Sequence, residues 1–282
     1  MRAKLIVVGA AGRMGRRILS LAVESGDFDI IAAVEKKGHP DIGKDAGLVA
    51  AAGPINVRLD SIYPAGVDPS TALRACVAID FSQPAVADNT IDYCLENGAA
   101  LVLGTTGLSD EQREKTKAAA EKIPVIYGTN MSVGMNVLFS LVGKAASMLA
   151  PPLGGAGRGA DYDIEIIEQH HRFKKDAPSG SALTLAENIC KATGRDFPDC
   201  VTYGRSSKDA LRKKGAIGIH AVRAGDITGK HEVVFGTLGE TLTLGHTAHS
   251  RDTFARGALR AAKWLTGKKP GLYSMADVLG IS

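Results

Sequence analysis

The chain has 282 residues, enough for one large domain or two modest ones, and its content of 45% apolar and 23% charged residues is typical of globular proteins. The net charge of +4 is too small to indicate a nucleic-acid partner, and an aromatic content of 5% leaves few rings for base stacking. The composition therefore favours a folded protein that does not bind nucleic acid.

A buried strand, a glycine turn and a helix open the chain. Residues 4–8 form a short apolar run typical of a parallel strand. Gly9, Gly12 and Gly15 follow, and apolar residues at helical spacing come after them. Two alanines fill the middle of the turn, so the spacing departs from G-x-G-x-x-G. A tight turn still brings the backbone close to a pyrophosphate at a helix start, and we predict a dinucleotide site.

A second apolar run, residues 30–34, ends at Glu35, which lies twenty positions after Gly15. An acid at this distance binds the ribose in dinucleotide sites. Lys36 and Lys37 come next, and a cation at this place suits the 2′-phosphate of NADP. Because the acid and the cations occur together, we predict a pocket that accepts both NADH and NADPH.

Strands and helices alternate from residue 78 onward. Apolar runs predict strands at 78–82, 101–103 and 124–127, and helices at 84–97, 109–122 and 132–149. Such alternation predicts a parallel sheet with right-handed crossovers, in which ligands bind at the carboxyl ends of the strands. Phe81 and Ser82 lie at one of these ends, and small polar turns lie at two others, at 104–106 and 128–130. They are expected to join the glycine turn and Glu35 in one site.

Residues 123–143 contain no charged side chain over a length that could span a bilayer. A proline, glycines and polar residues interrupt the run, so we interpret it as a buried strand, a polar loop and the start of a helix, with no membrane partner. The four cysteines show neither C-x-x-C nor zinc spacing, which predicts reduced thiols and a cytoplasmic location.

The second half of the chain has a different pattern. Residues 151–159 have the composition of a surface loop, and residues 163–168 alternate as a half-exposed strand does. A helix is predicted from Ser181 to Lys191, closed by Gly194. Three further strands, joined as in a meander, and a last helix are predicted at 219–223, 231–235, 241–244 and 251–265.

These patterns predict an α/β protein with two domains. Residues 1–130 and 248–282 form a Rossmann dinucleotide-binding domain, and residues 131–247 form a second α+β domain with a mixed, largely antiparallel sheet. We assign substrate binding and oligomerisation to the second domain. Such a sheet has one face to cover, and another subunit can cover it, so we expect a homo-oligomer.

The most informative segment follows the strand at 163–168. Five of the six residues 170–175 can carry positive charge, and a small-residue turn and a helix come directly after them. Cations and a helix N-terminus attract anions, and histidine and lysine can transfer protons near neutral pH. The segment predicts a site that binds and protonates a small anion. A solvated basic loop is the alternative at this point.

A metal hydrolase built from His170, His171 and Asp176 is a further alternative. Adjacent histidines on a strand point to opposite faces, and no third ligand has the usual spacing. We therefore expect no metal site.

Several motifs occur in an order that resembles one family. Residues 9–15, 104–107, 130–134, 168–171 and 176–180 are similar to motifs of the 4-hydroxy-tetrahydrodipicolinate reductase family, long called dihydrodipicolinate reductases. Residues 222–227 and 250–251 also resemble it, so the resemblance covers essentially the whole chain. It implies NAD(P)H-dependent reduction of (hydroxy)dihydrodipicolinate, a small dicarboxylate, to tetrahydrodipicolinate in lysine biosynthesis via diaminopimelate. It also implies a homotetramer.

The resemblance implies roles for individual residues. His170 is the acid/base residue, Lys174 is the proton donor, and His171 contacts the substrate. Gly180 and Ser181 hold a substrate carboxylate at a helix start. The implied cofactor-binding residues are Gly9, Ala10, Ala11, Gly12, Arg13 and Met14 at the pyrophosphate, Glu35 at the ribose, Lys36 at a 2′-phosphate, and Gly104, Thr105, Thr106, Gly128, Thr129, Asn130 and Met131 at the nicotinamide side.

The chain departs from the family pattern in three places. Phe173 stands where many members have a histidine, and Lys36 stands where they often have arginine. The glycine-rich stretch at 151–159 is longer than in compact members of the family. A lysine cannot bind a phosphate through two parallel hydrogen bonds as an arginine does, so the preference between NADH and NADPH stays open. Two alternative functions remain: another NAD(P)H-dependent reductase or dehydrogenase of an amino-acid intermediate, and a non-catalytic NAD(P)H sensor.

Overall fold

The computed structural model describes residues 2–64, 76–150 and 162–281. The chain divides into two compact units, one formed by Met1–Val133 with Arg251–Gly280 and the other by Gly134–Ser250 with Ile281–Ser282. The predicted surface loop at 151–159 lies outside the described residues.

The first unit contains a parallel sheet of seven strands. In spatial order the strands are β12 (Gly271–Tyr273), β6 (Pro124–Tyr127), β5 (Ala100–Leu103), β4 (Cys76–Asp80), β1 (Ala3–Val8), β2 (Phe28–Val34) and β3 (Leu59–Asp60). Its helices are α1 (Arg13–Ser25), α2 (Ala46–Val49), α3 (Pro84–Asn97), α4 (Asp110–Ala120), α7 (Asp252–Leu265) and α8 (Met275–Leu279).

Both faces of this sheet are covered. Leu5 and Val7 of β1 pack into a core with α1 and α7, and Ile6 and Val8 pack into a second core with α3 and α4. Successive strand residues point to opposite faces, so a strand covered on both sides must be apolar throughout. The predicted Rossmann architecture is confirmed.

Local signals set the helix ends in this unit. The α3 helix begins with Pro84, which suits a first turn, and ends before Gly98, whose φ of 61° is left-handed. The α4 helix begins after Ser109, which forms a capping box with Gln112.

The second unit contains a mixed sheet of five strands. In spatial order they are β11 (Glu240–Ala248), β10 (Gly229–Thr237), β7 (Asp163–His170), β9 (Ile217–Arg223) and β8 (Val201–Tyr203). Its helices are α5 (Val133–Leu149), which begins at the unit boundary, and α6 (Gly180–Thr193). Ile164 and Ile166 of β7 pack with Leu185 of α6 and Phe235 of β10 in one core.

The predicted meander is wrong at its first step. β10 and β11 are antiparallel neighbours, but β7 lies between β9 and β10. β7 pairs antiparallel with β10 and parallel with β9, so the sheet has two antiparallel and two parallel ladders. Because β7 lies inside the sheet, its backbone forms hydrogen bonds with a neighbouring strand on each side, β10 and β9. β7 also runs two residues past the predicted end, to His170.

The uncharged stretch at 123–143 forms β6, a loop and the start of α5, as predicted. Over residues 2–64, 76–150 and 162–281, no helix has the length and apolar character needed to cross a bilayer.

Candidate active site

The glycine turn joins β1 to α1 in the first unit. The backbone N–H groups of Gly9 and Ala10 donate to the carbonyl of Val34 at 2.9 and 3.1 Å, and Gly9 has a φ of 75°. A Cβ atom at Gly15 would overlap the carbonyl oxygen of Gly9, so only glycine lets α1 approach the turn this closely. No side chain at Gly12 caps α1, which leaves its first N–H groups available to an anion.

Glu35 lies beside this turn, directly after β2. Its carboxylate accepts hydrogen bonds from the N–H of Ala11 at 3.1 Å and the N–H of Lys36 at 2.9 Å. A cavity of about 520 Å³ opens here. It is lined by Val8, Gly9, Gly12, Val34, Glu35, Lys36, Lys37, His39, Ser61, Tyr63, Phe81, Ser82, Gln83, Val86 and Asn89. The structure thus brings the predicted acid and lysines together with the glycine turn.

Arg13 and Met14 begin α1. Arg13 is exposed, and Met14 packs against the core. Burial lowers the pKa of Arg251 from its ordinary value, and the charge of Arg13 lowers it further. Two cations therefore lie near the start of α1, where negative charge is favoured.

Sequence reasoning missed Asp80, the last residue of β4. Its buried carboxylate accepts hydrogen bonds from the N–H and hydroxyl of Ser82 at 2.8 and 2.6 Å. It also accepts from the hydroxyls of Thr105 at 2.8 Å and Thr90 at 2.5 Å. Asp80 therefore fixes the loop after β5 that carries Gly104, Thr105 and Thr106. An acid ending an otherwise apolar strand was the available signal.

The loop after β6 carries the other residues predicted near the nicotinamide. The N–H of Gly128 donates to Leu103 at 3.2 Å, and Asn130 accepts from the N–H of Ser132 at 2.9 Å. Thr129 is exposed. The Met131 side chain is 1% exposed and belongs to the core, so only the backbone of this residue is available to a ligand.

In the second unit, His170 belongs to a buried polar cluster. Its Nδ1 is 2.6 Å from Oε2 of Glu168, which is fully buried. Both terminal nitrogens of Arg223 donate to the Glu168 carboxylate at 2.7 Å, and the N–H of Ser179 donates to it at 3.0 Å. Parallel pairing places Arg223 opposite His170 on the neighbouring strand. No role was predicted from the sequence for Glu168, Ser179 or Arg223.

The charge state of Glu168 determines which His170 nitrogen can exchange a proton. Burial alone would raise the pKa of Glu168, but the hydrogen bonds from His170 and Arg223 outweigh burial and lower it to about 2. Glu168 is therefore ionised at neutral pH and accepts a hydrogen bond from the Nδ1–H group of His170. Nε2 is then the atom of His170 that can give or take a proton.

A second histidine lies beside His170. The rings of His170 and His231 meet edge to face with centroids 5.1 Å apart, and Nε2 of His231 is 3.0 Å from the Ser179 hydroxyl. Burial, reinforced by the charge of His170, lowers the pKa of His231 to about 3. His231 is therefore neutral at neutral pH and adds no charge to the cluster.

Lys174 lies in the turn that follows β7. Its Nζ is 2.9 Å from both carboxylate oxygens of Asp176. Burial would raise the pKa of Asp176, but Lys174 outweighs it and the net shift is downward. The carbonyl of Asp176 accepts from Arg223 at 2.7 Å, which ties the lysine turn to the Glu168 cluster. His171 is half-buried, whereas Phe173 is 79% exposed.

The α6 helix begins at the same cluster. Ser179 is its N-cap, and the Ser179 hydroxyl accepts from the N–H of Ala182 at 3.2 Å. The first two helical residues follow: Gly180 is half-buried, and Ser181 is buried. The structure thus brings a helix start, a lysine and the Glu168–His170 pair together in the second unit. The predicted cofactor residues all belong to the first unit.

No group of three side chains suited to a metal ion occurs within the described ranges. The arrangement instead offers cations, N–H donors and a histidine whose free nitrogen can exchange a proton. Such a set can bind an anion and protonate it.

Two family models match the chain in succession. Residues 3–131 match "Dihydrodipicolinate reductase, N-terminus", and residues 134–279 match "Dihydrodipicolinate reductase, C-terminus". A 4-hydroxy-tetrahydrodipicolinate reductase of Citrifermentans bemidjiense is 42% identical over 279 residues, with 99% of each chain covered. One from Syntrophus aciditrophicus is 43% identical over 282 residues, with 98% of each chain covered.

A solved structure shares the fold. The dipicolinate-bound dihydrodipicolinate reductase from Paenisporosarcina sp. TG-14 superposes with a TM-score of 0.70 at 22% identity, covering 98% of this chain and 99% of the other. An NAD complex of GenD2, from gentamicin A biosynthesis, gives a TM-score of 0.58 at 12% identity. The match covers 99% of this chain and 91% of the GenD2 chain. At these identities the similarity concerns the fold.

Proposed function

The chain belongs to the dihydrodipicolinate reductase family, and from this premise we propose that it is a 4-hydroxy-tetrahydrodipicolinate reductase. It is an NAD(P)H-dependent oxidoreductase of lysine biosynthesis, and it reduces (hydroxy)dihydrodipicolinate to tetrahydrodipicolinate. The alternative of a non-catalytic sensor is disfavoured because such a protein has no use for a proton-transferring cluster at an anion-binding helix start. We assign roles to individual residues, and the contacts within each unit support them.

The glycine turn and Glu35 fit a dinucleotide. A Cβ atom at Gly9 would lie 3.0 Å from the backbone of Phe81 and Ser82, so only glycine lets the turn pack against the loop after β4, which lines the same cavity. The N–H groups at the start of α1 bind the pyrophosphate, with Arg13 beside them. Glu35 binds the ribose, since each carboxylate oxygen has lone pairs beyond its one N–H partner. When bound, the reduced cofactor supplies the hydride.

Lys36 and Lys37 line the same cavity as Glu35. A lysine ammonium pairs with a 2′-phosphate as a point charge, without the two parallel bonds of arginine. The site therefore accepts NADPH without rejecting NADH. Comparison of the two dissociation constants tests this, and a thousandfold preference for either cofactor would contradict it.

The second unit holds the dicarboxylate substrate. Gly180 and Ser181 offer N–H groups of the α6 start to one carboxylate, and His171 contacts the substrate. The Ser179 N–H is bonded to Glu168, which holds the start of α6 against the Glu168–His170 pair. Lys174 adds positive charge, and Asp176 holds its ammonium in place.

Proton transfer is assigned to His170 and Lys174. Negative charge develops on the substrate ring as it is reduced. A cationic side chain can stabilise this charge and can also donate the proton that the product needs. Glu168 holds Nδ1 of His170, so the imidazole presents Nε2 as the exchanging atom. Lys174 donates from its ammonium.

The observation that carries the catalytic assignment is the 2.6 Å contact between His170 and Glu168 at the start of α6. The test is an assay of reduced-nicotinamide consumption with freshly generated substrate and each cofactor in turn. We expect His170→Gln and Lys174→Ala to lower kcat by about 10²–10⁴-fold. Cofactor affinity should be kept, because these residues lie outside the cofactor unit.

Lys175→Ala is the matched control, since Lys175 is an exposed neighbour of Lys174. Its kcat should stay close to that of the unchanged chain. Near-normal turnover in both His170→Gln and Lys174→Ala would disprove the proton-transfer roles. Absence of turnover with this substrate in the unchanged chain, alongside tight NADH binding, would instead favour a related reductase or a sensor.

We further propose a homo-oligomer, a tetramer by family resemblance, located in the cytoplasm. One face of the sheet in the second unit packs on its helices, while the other carries Glu165, His220 and Val222, which are half-buried or exposed. A second subunit can cover such a face. A sedimentation mass near 29.4 kDa would contradict the oligomer. The four cysteines show neither C-x-x-C nor zinc spacing, which supports a reducing compartment.

A further inference from the structure

Two thiols of the second unit lie against each other at the opposite end of α6 from Ser179. Cys190 belongs to the last turn of α6, and Cys200 precedes β8. Both are free thiols, and their Sγ atoms are 2.8 Å apart. A disulfide bond is about 2.0 Å long, so the two sulfurs need to move only a little to join.

The backbone already holds both cysteines in place. The carbonyl of Cys190 accepts from the N–H of Arg195 at 3.0 Å. The N–H of Cys200 donates to Asp196 at 3.0 Å, and its carbonyl accepts from the N–H of Ile217 at 2.9 Å. The pair is therefore preorganised, and a bond between the sulfurs leaves these hydrogen bonds intact.

The two thiols differ in access. Cys190 is 1% exposed, and burial, together with the hydrogen bond to Cys200, raises its pKa to about 12. Cys200 is partly exposed, so a dissolved reagent reaches it first. The charge of Arg195 opposes the rise at Cys190. Nε and Nη1 of this guanidinium are buried and have no hydrogen-bond partner in the described part of the chain, so they can stabilise a thiolate as it forms.

We propose that Cys190 and Cys200 form a redox modification site that exchanges with low-molecular-weight disulfides of the glutathione type. The Cys200 thiolate attacks one sulfur of the reagent, forms a mixed disulfide and releases one thiolate. Cys190 then loses its proton to solvent and attacks Sγ of Cys200, which forms the internal disulfide and releases the second thiolate. The protein loses two electrons and two protons, and one reagent disulfide becomes two thiols.

The internal bond joins the end of α6 to the segment that enters β8. It constrains the unfolded chain more than the folded one, because the folded chain already holds the two sulfurs together. We expect the oxidised form to melt several degrees above the reduced form. The site is separate from the proposed reductase reaction, and its test does not depend on turnover.

The test treats the whole reduced protein with oxidised glutathione and measures the intact mass, followed by peptide mapping. The unchanged chain should lose two hydrogens, carry no glutathione and yield linked peptides containing Cys190 and Cys200. Cys190→Ser should keep one glutathione on Cys200, because the thiol that resolves the adduct is gone. Cys200→Ser should leave Cys190 unmodified, because that thiol is buried.

Two outcomes would overturn the proposal. One is an unchanged chain that stays fully reduced, or that accumulates glutathione on Cys200 without forming the internal bond. The other is equal labelling of Cys190 in Cys200→Ser and of Cys200 in Cys190→Ser. If a variant fails to fold, differential alkylation of the unchanged chain before and after treatment tests the proposal without a substitution. Alkylation of both Cys190 and Cys200 should be lost after treatment.

Discussion

Replacement of Glu168 by glutamine should damage both stability and turnover. The Glu168 carboxylate accepts hydrogen bonds from His170, from both terminal nitrogens of Arg223 and from the N–H of Ser179. Glutamine keeps the shape but has one acceptor oxygen and no charge. The half-buried Arg223 guanidinium then loses its counter-ion, which is costly.

The size of the stability effect follows from the pKa of Glu168, which falls from an ordinary 4.5 to about 2 in the folded chain. One pKa unit corresponds to roughly 1.4 kcal/mol, so the ionised carboxylate contributes about 3 kcal/mol. For a lowered pKa, this contribution is complete above the unfolded value and is lost as pH falls through the folded value. The unchanged chain should therefore lose stability between about pH 5 and pH 2, and Glu168→Gln should lack this part of the loss.

The assay is denaturant unfolding of both chains from pH 7 downward, combined with kcat at neutral pH. We expect kcat of Glu168→Gln to fall by about 10²–10⁴-fold, because His170 loses the carboxylate that holds Nδ1 and orients the ring. KM for the cofactor should change little.

Glu165→Gln is the matched control. Burial would raise the pKa of Glu165, but hydrogen bonds from Arg205 and His220 bring it to about 2 as well. Glu165 also belongs to β7, but strand alternation turns it to the opposite face from His170. Glu165→Gln should lose stability with the same pH dependence as Glu168→Gln, but its kcat should stay unchanged. Equal kcat in Glu168→Gln and the unchanged chain, or a stability difference independent of pH, would refute the reasoning.

Two glycine substitutions test the remaining geometry. A Cβ atom at Gly229 would lie 3.2 Å from Nε2 of His170, so Gly229→Ala should lower kcat by roughly 10-fold or more. Gly236→Ala on the same strand is the control and should keep its kcat, because the atom nearest to its Cβ would be 3.9 Å away. Equal kcat values in the two variants would contradict the close contact between Gly229 and His170. Gly15→Ala should abolish NADH binding in a fluorescence titration, because its Cβ atom would overlap the glycine turn. Gly143→Ala in α5, where the nearest atom is 3.7 Å away, should bind NADH normally, and an unaltered affinity in Gly15→Ala would exclude the proposed turn.

Elements defined by neighbours in the chain were predictable. The helix predicted at 84–97 is α3, because Pro84 and Gly98 set its ends locally. The strand predicted at 124–127 is β6. The short strands β3, β8 and β12 were not predicted, since two or three residues carry no period of their own and depend on the partner strand for their hydrogen bonds.

The candidate site was predictable in part. The sequence placed His170, Lys174 and the start of α6 in one segment, because they are close along the chain. It gave no role to Arg223, which lies 53 positions after His170 and meets it only because β7 pairs parallel with β9. Asp80 was missed for a similar reason, since its partner Thr105 follows a different strand.

By itself, the sequence determined the family, the reaction class, the dinucleotide turn and the parallel sheet, because glycine spacing, apolar runs and contiguous motifs act over short distances. Tertiary structure alone decided that β7 lies at the centre of its sheet, that Glu168 is shared by His170 and Arg223, and that Cys190 meets Cys200. These features depend on which strands pair and in which register. Burial then set the protonation states, because a carboxylate or an imidazole titrates according to the neighbours that folding gives it.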